Sequence, residues 1–297
     1  MNAIVTITSP NYIVGTKVLF QSFLNHNPSC DCDLLVVHDG LSKNYQKELK
    51  TLFPVKFIQV SNELKQAVKQ IAINLPHYKN RTARFWSIES FNMASYESVL
   101  FLDSDILIRG SLDQLFSTSA SFSACPDRSF QNSLGRDRTT FLRVESDNSL
   151  GRNVFDRVFN SGVFLINNTK IKSNTYHALI ASLQVDVLEP VTTGHTDQFL
   201  LNKHFCNDVN WLVPQYNWLL KETVPSKASN EALIWHYLRH PKPWILRPIF
   251  NQRIRLKSGS SFIKEWHYTY REVLIQELLK QFKSKTFIRF IYSKLLV

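Results

Sequence analysis

Glycine, proline and cysteine are scarce in this chain of 297 residues, which contains 8 Gly, 11 Pro and 4 Cys. The low Gly and Pro content argues against a low-complexity or fibrous protein. Cys30 and Cys32 are separated by one residue, which is too close for the usual zinc-ligand spacing, and the sequence has no second Cys pair to complete a zinc site. We therefore expect these two thiols, Cys125 and Cys206 to be free in a reducing compartment.

Long apolar runs are also missing. No stretch approaches the ~20 apolar residues that a membrane-spanning helix needs. The first residues run directly into a strand-like segment at 3–8 and do not resemble a signal peptide. With 44% hydrophobic residues the chain has enough apolar surface for one large core. The sequence therefore predicts a cytoplasmic protein that is soluble or peripheral to a membrane.

Acidic residues are fewer than basic ones, 24 against 35, which gives a formal net charge of +11. Nucleic acid, anionic lipid and phosphorylated substrates are all compatible partners. The clearest basic segment is 264–297, which has no acid after Glu277 and whose apolar residues fall roughly on one helical face. This pattern predicts a helix attached to an anionic membrane surface. A terminal helix packed on the core, with its charges in solvent, is the alternative.

Short apolar runs alternate with helix-like segments along most of the chain. We predict strands at 3–8, 33–38, 55–60, 98–102, 121–125, 162–167 and 231–236. We predict helices at 12–26, 43–53, 81–95 and 170–184, and another capped by Thr196 or Asp197. Such alternation predicts βαβ units, and hence an α/β fold with a mostly parallel central sheet flanked by helices.

Residues 127–157 interrupt this alternation. They contain six arginines and five acids among Asn, Ser and Gly. A loop of this length inside a compact domain is usually functional or disordered. Its arginines suit the binding of an acidic or phosphorylated molecule.

Two carboxylates, Asp103 and Asp105, follow the apolar run 99–102. The carboxyl ends of parallel strands are where α/β folds place their ligands. Two carboxylates held close together there are costly unless a cation lies between them. The pair therefore indicates a metal that holds an anionic ligand, although a strand-ending turn in which Asp bonds its own backbone gives the same pattern.

His236 ends another strand-like run, and Lys242 follows six residues later in a turn bounded by prolines. A single His is more often a structural hydrogen-bonding residue than a ligand. One His and two carboxylates nevertheless form a nitrogen and oxygen set suited to Mn²⁺ or a related divalent ion. A metal and a lysine at one place would suit a diphosphate leaving group.

Four motifs occur in order: Asp103-x-Asp105, Asn160-Ser-Gly-Val, Asp197-Gln198-x₃-Asn and His236-x₅-Lys-Pro-Trp. Together they resemble glycosyltransferase family 8, the retaining GT-A enzymes that include glycogenin and bacterial lipopolysaccharide galactosyl- and glucosyltransferases. The resemblance runs from about residue 3 to 245. It implies a Rossmann-like GT-A catalytic domain at 1–250, followed by a basic helical appendage at 251–297.

The resemblance also implies ligands and roles. The family uses Mn²⁺ (Mg²⁺ being the alternative) and a UDP-sugar, and Asp103, Asp105 and His236 match its metal ligands. Residues matching the donor-nucleotide side are Thr8, Asn11, Tyr12, Arg84, Ser104 and Lys242. Residues matching the sugar side are Asn160, Asp197 and Gln198. For several of these, a turn, a helix cap, a packed aromatic or a solvated helix face is the alternative interpretation.

Two positions depart from the family pattern. Arg239 stands where a glycine is expected between the His and the Lys, and glycine there would allow close approach to phosphate. Gly194 stands where glycogenin-like members carry a further Asp. The second departure favours the bacterial transferases over self-glucosylation.

The predicted function is transfer of a hexose from UDP-glucose or UDP-galactose to a saccharide acceptor, such as an anionic or lipid-linked lipopolysaccharide, at the inner face of the cell membrane. No nucleic acid is expected as a partner. Two alternatives are a non-enzymatic basic protein that binds nucleic acid or anionic lipid, and a metal-dependent nucleotide hydrolase, since Asp-x-Asp with His does not itself specify sugar transfer.

Overall fold

A computed structural model of the protein describes residues 1–127, 158–189, 191, 196–205, 207–220, 226–238, 240–245 and 260–281. Six subjects of the sequence predictions lie outside these residues: nearly all of the 127–157 segment, Gly194, Cys206, Arg239, the domain boundary at residue 250 and the end of the chain after Gln281. Cys30, Cys32 and Cys125 are free thiols, as predicted.

The described strands form two sheets. The larger has the order β3-β2-β1-β4-β7-β6-β8, and the smaller has the order β5-β10-β9. Their bounds are β1 Asn2–Ile7, β2 Cys32–His38, β3 Val55–Gln59, β4 Ser98–Leu102, β5 Ile106–Ile108, β6 Phe122–Pro126, β7 Phe159–Asn167, β8 Val209–Trp211, β9 Trp218–Leu219 and β10 Ile234–His236.

Helices cover the larger sheet. Their bounds are α1 Ile13–His26, α2 Lys43–Leu52, α3 Asn62–Asn74, α4 Thr175–Ala181, α5 Val185–Leu188, α6 Asp197–Phe205, α7 Lys227–Asn230 and α8 Ser260–Gln281. Turns of 3-10 helix occur at Pro10–Tyr12, Pro76–Asn92, Asp113–Ser117 and Pro214–Asn217. No helix among the described residues is both long and apolar enough to cross a bilayer.

Strand direction decides which residues meet at the sheet edge. β1 pairs in parallel with β2 and β4, whereas β7 runs antiparallel to both β4 and β6. The edge at which β4 and β6 end is therefore also the edge at which β7 begins. The α/β class and the mostly parallel sheet are confirmed, with β7 as the reversed strand.

Two predicted helices differ from the structure, and one observed helix was not predicted. Residues 81–95 do not form an α-helix: 81–92 belong to the 3-10 turns of Pro76–Asn92, and 93–95 follow them. Residues 85–91 are buried without interruption, whereas an amphipathic helix buries only one face. The helix predicted at 170–184 is limited to Thr175–Ala181, followed by α5. Helix α3 was not predicted, although Ser61 caps it by accepting a hydrogen bond from the Leu64 N–H.

Helix α8 packs against the core. Phe262, Trp266 and Val273 are buried on its inner face, as expected for residues three to four positions apart or multiples of that spacing. Leu278 and Leu279, near its end, are 45% and 37% exposed. The helix therefore has a buried inner face and an exposed apolar end. The boundary predicted at residue 250 lies outside the described residues and stays a prediction.

Candidate active site

A cleft of about 610 Å³ opens at the edge where β4 and β6 end. This volume is typical of a small-molecule site. Ten of the twelve residues that the sequence singles out line it: Tyr12, Arg84, Asp103, Ser104, Asp105, Asn160, Asp197, Gln198, His236 and Lys242. The other two, Thr8 and Asn11, lie beside the cleft without lining it.

Asp103, Asp105 and His236 form one cluster, in which each offers a ligand atom within 4.8 Å of the others. The Asp103 N–H donates to the Gly162 carbonyl oxygen of β7 at 2.8 Å. Strand β5 begins directly after Asp105 and pairs antiparallel with β10, so that Ile106 faces His236. This pairing brings the second carboxylate next to the imidazole, with 3.0 Å between Asp105 Oδ1 and His236 Nε2.

Gly162 leaves room for this cluster. A Cβ atom at this position would lie 2.3 Å from His236 Cε1 and 2.7 Å from Asp103 Oδ2. Both distances are far below van der Waals contact, so any side chain here would push the ligand residues apart. The sequence motif Asn-Ser-Gly-Val therefore contributes a close approach to the cluster as well as the Asn160 side chain.

Lys242 contacts the second oxygen of the Asp105 carboxylate. Its amine donates to Asp105 Oδ2 at 2.5 Å and to the Tyr237 carbonyl oxygen at 2.6 Å. The amine is buried, and it is fixed against the Asp-x-Asp turn at the floor of the cleft. Lys242 therefore lies beside the carboxylate pair, as the sequence predicted.

The two carboxylates have opposite pKa shifts. Burial, and next the charge of Asp105, raise the pKa of Asp103. Burial acts in the same direction on Asp105, but the charge of His236 in its protonated form, together with the charge and the hydrogen bond of Lys242, outweighs it and holds its pKa well below the usual range. The neighbours thus stabilise the anionic form of Asp105, whereas burial and the charge of Asp105 disfavour the anionic form of Asp103.

Two buried atoms of the cluster, Asp105 Oδ1 and His236 Nε2, have no hydrogen-bond partner. They face each other at 3.0 Å. When Nε2 carries a lone pair, both atoms are acceptors, and only a shared proton or a cation between them relieves the repulsion. One nitrogen and two carboxylates form a donor set that suits a divalent transition-metal ion. The residues present therefore fit a metal.

Asp197 and Gln198 begin helix α6 on the opposite wall. The Asp197 carboxylate accepts hydrogen bonds from the Ser87 hydroxyl at 3.0 Å and the Thr196 hydroxyl at 2.8 Å. Burial raises the pKa of Asp197, while these hydroxyls and the charge of Arg84 act against the rise. The carboxylate is thus bonded outside its own helix and fixed in the cleft wall.

The loop before α1 is anchored by side chains from two directions. The Thr8 hydroxyl is 2.7 Å from that of Thr16. The Trp244 indole donates to the Asn11 carbonyl oxygen at 3.0 Å, and its ring meets the Tyr12 ring edge-on at 5.3 Å. Burial, and next the charges of Asp105 and Asp103, raise the pKa of Tyr12. Of the loop residues that the sequence assigns to the nucleotide side, Tyr12 reaches the cleft.

Asp127 and Asn217 are buried site residues that the sequence did not single out. Asp127 follows β6 and accepts a hydrogen bond from Gln198 Nε2 at 2.8 Å. Asp103 was singled out as an acid directly after a predicted strand, whereas Asp127 is separated from the strand predicted at 121–125 by Pro126, which the structure adds to β6. Asn217 contacts His236 Nδ1 at 3.0 Å and belongs to no motif.

The fold and the site define the class as a GT-A protein. The structure superimposes on the galactosyltransferase LgtC, solved with donor and acceptor sugar analogs, with a TM-score of 0.62 at 18% identity, over 89% of this chain and 94% of LgtC. It superimposes on the bifunctional glycosyltransferase WbbM with a TM-score of 0.64 at 16% identity, over 92% of this chain and 51% of WbbM. At these identities the likeness shows the fold alone.

Residues 3–246 match the model of glycosyl transferase family 8, and the chain belongs to this family. It is 24% identical to the lipopolysaccharide glucosyltransferase WaaO of Escherichia coli K12, over 80% of this chain and 70% of WaaO. It is 29% identical to the glycosyltransferase GlyE of Streptococcus pneumoniae, over 57% of this chain. The matches span 38% of the length of GlyE and 30% of that of Neurospora crassa glycogenin.

Proposed function

We propose that this protein transfers a hexose, glucose or galactose, from a UDP-sugar to a saccharide acceptor with retention of configuration. The observation that carries the proposal is the cluster of Asp103, Asp105 and His236, the last two of them buried, at the floor of a cleft whose wall holds Asp197 and Gln198. Membership of glycosyl transferase family 8 supports the same reaction class.

Asp103, Asp105 and His236 would hold the metal, and we propose Mn²⁺ over Mg²⁺. Mg²⁺ prefers oxygen ligands and keeps several waters, whereas an imidazole nitrogen suits Mn²⁺ better. When bound, the ion would supply positive charge to the diphosphate as the sugar–phosphate bond breaks. Lys242, fixed against Asp105, would add a second positive charge on the same side of the cleft.

The sugar would lie toward Asn160, Asp197 and Gln198. Same-face attack is the mechanism we propose, because an amide such as Gln198 is a poor nucleophile for a covalent intermediate. The acceptor hydroxyl oxygen bonds to the anomeric carbon while the bond from that carbon to the leaving phosphate oxygen breaks. The leaving oxygen takes the hydroxyl proton, so that no enzyme base is required.

The nucleotide would lie toward the loop before α1. We assign Tyr12 and Asn11 to the uridine, Thr8 to the support of that loop, and Ser104 and Arg84 to the donor side. The edge-on packing of Tyr12 on Trp244 supports a preformed aromatic surface for a base. Arg84 lines the cleft, and its positive charge acts on both Asp197 and Tyr12.

We propose a lipid-linked or anionic saccharide, such as lipopolysaccharide, as the acceptor. The relative WaaO is a lipopolysaccharide glucosyltransferase, and Arg81 and Arg84 line the cleft. The arginines of the 127–157 segment would add to this positive surface, although nearly all of that segment lies outside the described residues. With such an acceptor, the reaction would take place at the inner face of the cell membrane.

We also propose that the end of α8 attaches the protein to that membrane. Leu274, Ile275, Leu278 and Leu279 are between 37% and 45% exposed at the end of the helix. The residues after Gln281 carry basic and apolar side chains without acids. Exposed apolar groups followed by positive charge favour an anionic lipid surface.

Vesicle pelleting tests the attachment. Removal of residues 282–297 together with Leu278→Asp should abolish binding to vesicles that contain anionic lipid, while α8 keeps its buried residues. Removal from residue 265 onward would be a poor test, because Trp266 and Val273 belong to the core. Undiminished binding of the changed protein would refute the attachment.

A donor panel tests the reaction. UDP release from UDP-glucose, UDP-galactose and other UDP-sugars is measured with Mn²⁺, with Mg²⁺ and with EDTA. We expect one donor to be used, in the presence of Mn²⁺, with release lost in Asp105→Ala and kept in Asp113→Ala, whose carboxylate is exposed and outside the cleft.

Two outcomes contradict the proposal. Metal-dependent cleavage of nucleotides without regard to the sugar would identify a nucleotide hydrolase. Absence of metal-dependent UDP binding, together with tight binding of DNA, RNA or anionic lipid, would identify a non-enzymatic basic protein.

A further inference from the structure

Behind the metal cluster lies a buried chain of amide side chains. Asn217, at the end of the Pro214–Asn217 turn, is fully buried. Asn160, at the start of β7, and Gln198, in α6, are 8% and 6% exposed. Hydrogen bonds connect these three side chains to His236 at one end and to Asp127 at the other.

One backbone N–H determines which atom of each of these amides donates and which accepts. The Gly162 N–H lies 3.0 Å from the side-chain atom of Asn160 that is its hydrogen-bond acceptor. A backbone N–H is always a donor, so that atom must be the amide oxygen Oδ1. Asn217 bonds the same oxygen at 2.9 Å, and it can do so only through its NH₂ group.

The orientation of Asn217 then decides the tautomer of His236. With its NH₂ group directed at Asn160, the Asn217 oxygen faces His236 Nδ1 at 3.0 Å. An oxygen accepts, so Nδ1 carries a proton, and in the neutral ring the lone pair is then on Nε2, toward Asp103 and Asp105. The lone pair therefore points into the cluster.

The Gly162 N–H also determines the orientation of the Gln198 amide. With its oxygen on Gly162 and Asn217, Asn160 presents its NH₂ group to Gln198 Oε1 at 3.3 Å. The Gln198 NH₂ group is then directed to Asp127 Oδ2 at 2.8 Å. The imidazole at the metal cluster and the glutamine on the sugar side thus receive their orientations from one amide, that of Asn160.

We propose that Asn217 is a positioning residue that holds His236 as an Nε2 ligand for a divalent cation, with its own orientation set by the Gly162 N–H through Asn160. This inference rests on the metal site of the proposed function. A partner that fixes the second ring nitrogen of a ligating His typically accounts for about 10- to 100-fold in metal affinity.

Two substitutions separate the bond of Asn217 to His236 from its bond to Asn160. Asn217→Ala removes the bond to His236 and the bond to Asn160. Asn217→Asp keeps an oxygen for the Nδ1 proton but loses the NH₂ group that Asn160 Oδ1 accepts. Metal affinity should therefore fall in the first variant and survive in the second, whereas both should disturb Asn160 and Gln198.

Asn27 provides a matched control. It is 4% exposed, donates to the Phe23 carbonyl oxygen and accepts from the Leu112 N–H, without contact to the cluster. Asn27→Ala should lower the melting temperature while leaving Mn²⁺ affinity within about twofold of the wild type, as for distant sites in general.

The experiment measures Mn²⁺ affinity by calorimetry, and the ring-nitrogen shifts of His236 by ¹⁵N NMR on the metal-free full chain. We expect Asn217→Ala to bind Mn²⁺ about 10- to 100-fold more weakly and to lose the pure Nδ1-protonated signal. We expect Asn217→Asp to keep that signal and to bind Mn²⁺ within about threefold of the wild type.

An Asn217→Ala protein with the wild-type tautomer or the wild-type Mn²⁺ affinity overturns the assignment. Should that variant not fold, loss of the Nδ1-protonated signal in Asn217→Asp overturns it as well. A wild-type protein that binds no Mn²⁺ contradicts the proposed function instead, and the tautomer in the metal-free proteins still decides the role of Asn217.

Discussion

Two buried lysines, Lys17 and Lys242, lie in very different charged surroundings. Lys17, in α1, is paired with Glu48 of α2 and Glu277 of α8, and we call these three residues the helix clasp. Lys242 belongs to the cleft cluster, which we define as Asp103, Asp105, His236 and Lys242. Each amine is about 5% exposed and touches a carboxylate.

The two regions differ in what remains unpaired. In the helix clasp the two carboxylates converge on one amine, and their side chains are 39% and 21% exposed to water. Burial acts to lower the pKa of Lys17, but the hydrogen bonds that its amine donates to the two glutamates, and their charges, raise it overall. In the cleft cluster, Asp105 Oδ1 and His236 Nε2 are buried without a hydrogen bond. The clasp is complete as a structural contact, whereas the cluster holds two buried polar atoms that a bound cation would compensate.

The largest expected effect is that of Asp103→Asn. Activity should fall about 10³-fold, because a lost metal ligand removes several kcal/mol of transition-state stabilisation. The free energy of unfolding in EDTA should stay unchanged or rise by up to about 1 kcal/mol, because one of two repelling carboxylates is gone. UDP release and urea denaturation measure the two quantities.

Asp113→Asn is the control for this variant, since Asp113 is exposed and remote from the cleft. It should change neither quantity. A clear loss of stability in metal-free Asp103→Asn would mean that the cleft cluster is a structural contact like the clasp, and the comparison would fail.

The next effect is that of the double substitution Glu48→Gln and Glu277→Gln. Lys17 then keeps its burial but has no carboxylate, which should lower the free energy of unfolding by about 2 kcal/mol once the partial exposure of both glutamates is taken into account. Mn²⁺ affinity should stay within about twofold. Urea denaturation and calorimetry measure these changes, and a larger loss of Mn²⁺ binding than of stability would contradict the separation of the two regions.

The smallest effect is that of Glu48→Gln alone. Glu277 still compensates Lys17, and Glu48 is partly exposed, so the loss should be about 0.5 kcal/mol. Together with Glu277→Gln, this variant completes a double-mutant cycle measured by denaturation. Because either glutamate suffices, the double variant should lose more stability than the sum of the single ones; additive losses would show that the two contacts are independent.

Several features that depend on a local sequence pattern were predicted correctly. The apolar run before Asp103 predicted β4 and the carboxylate pair at its end, and Asp105, His236 and Lys242 do lie together. Helix α3 could also have been predicted, because Ser61 precedes apolar residues at 64, 68 and 71.

The remaining features depend on chain topology. Strand β5 has three residues, too few for an alternation pattern, yet its pairing with β10 places Asp105 beside His236. Asn217 has no local signature, since its contact with His236 arises from β9 lying next to β10. Asp127 was grouped with the arginine-rich segment, although it follows β6 as Asp103 follows β4. Long-range pairing, which single-sequence patterns do not encode, decided these positions.

Three consecutive residues of α1 each contact a different part of the molecule. A Cβ at Gly15 would lie 2.3 Å from the Ser104 carbonyl oxygen, Thr16 bonds the Thr8 hydroxyl, and Lys17 joins the helix clasp. A substitution in this turn thus disturbs the Asp-x-Asp turn, the loop before α1 or the attachment of α8. In a library of random variants, this tripeptide should tolerate fewer replacements than the exposed residues of α2.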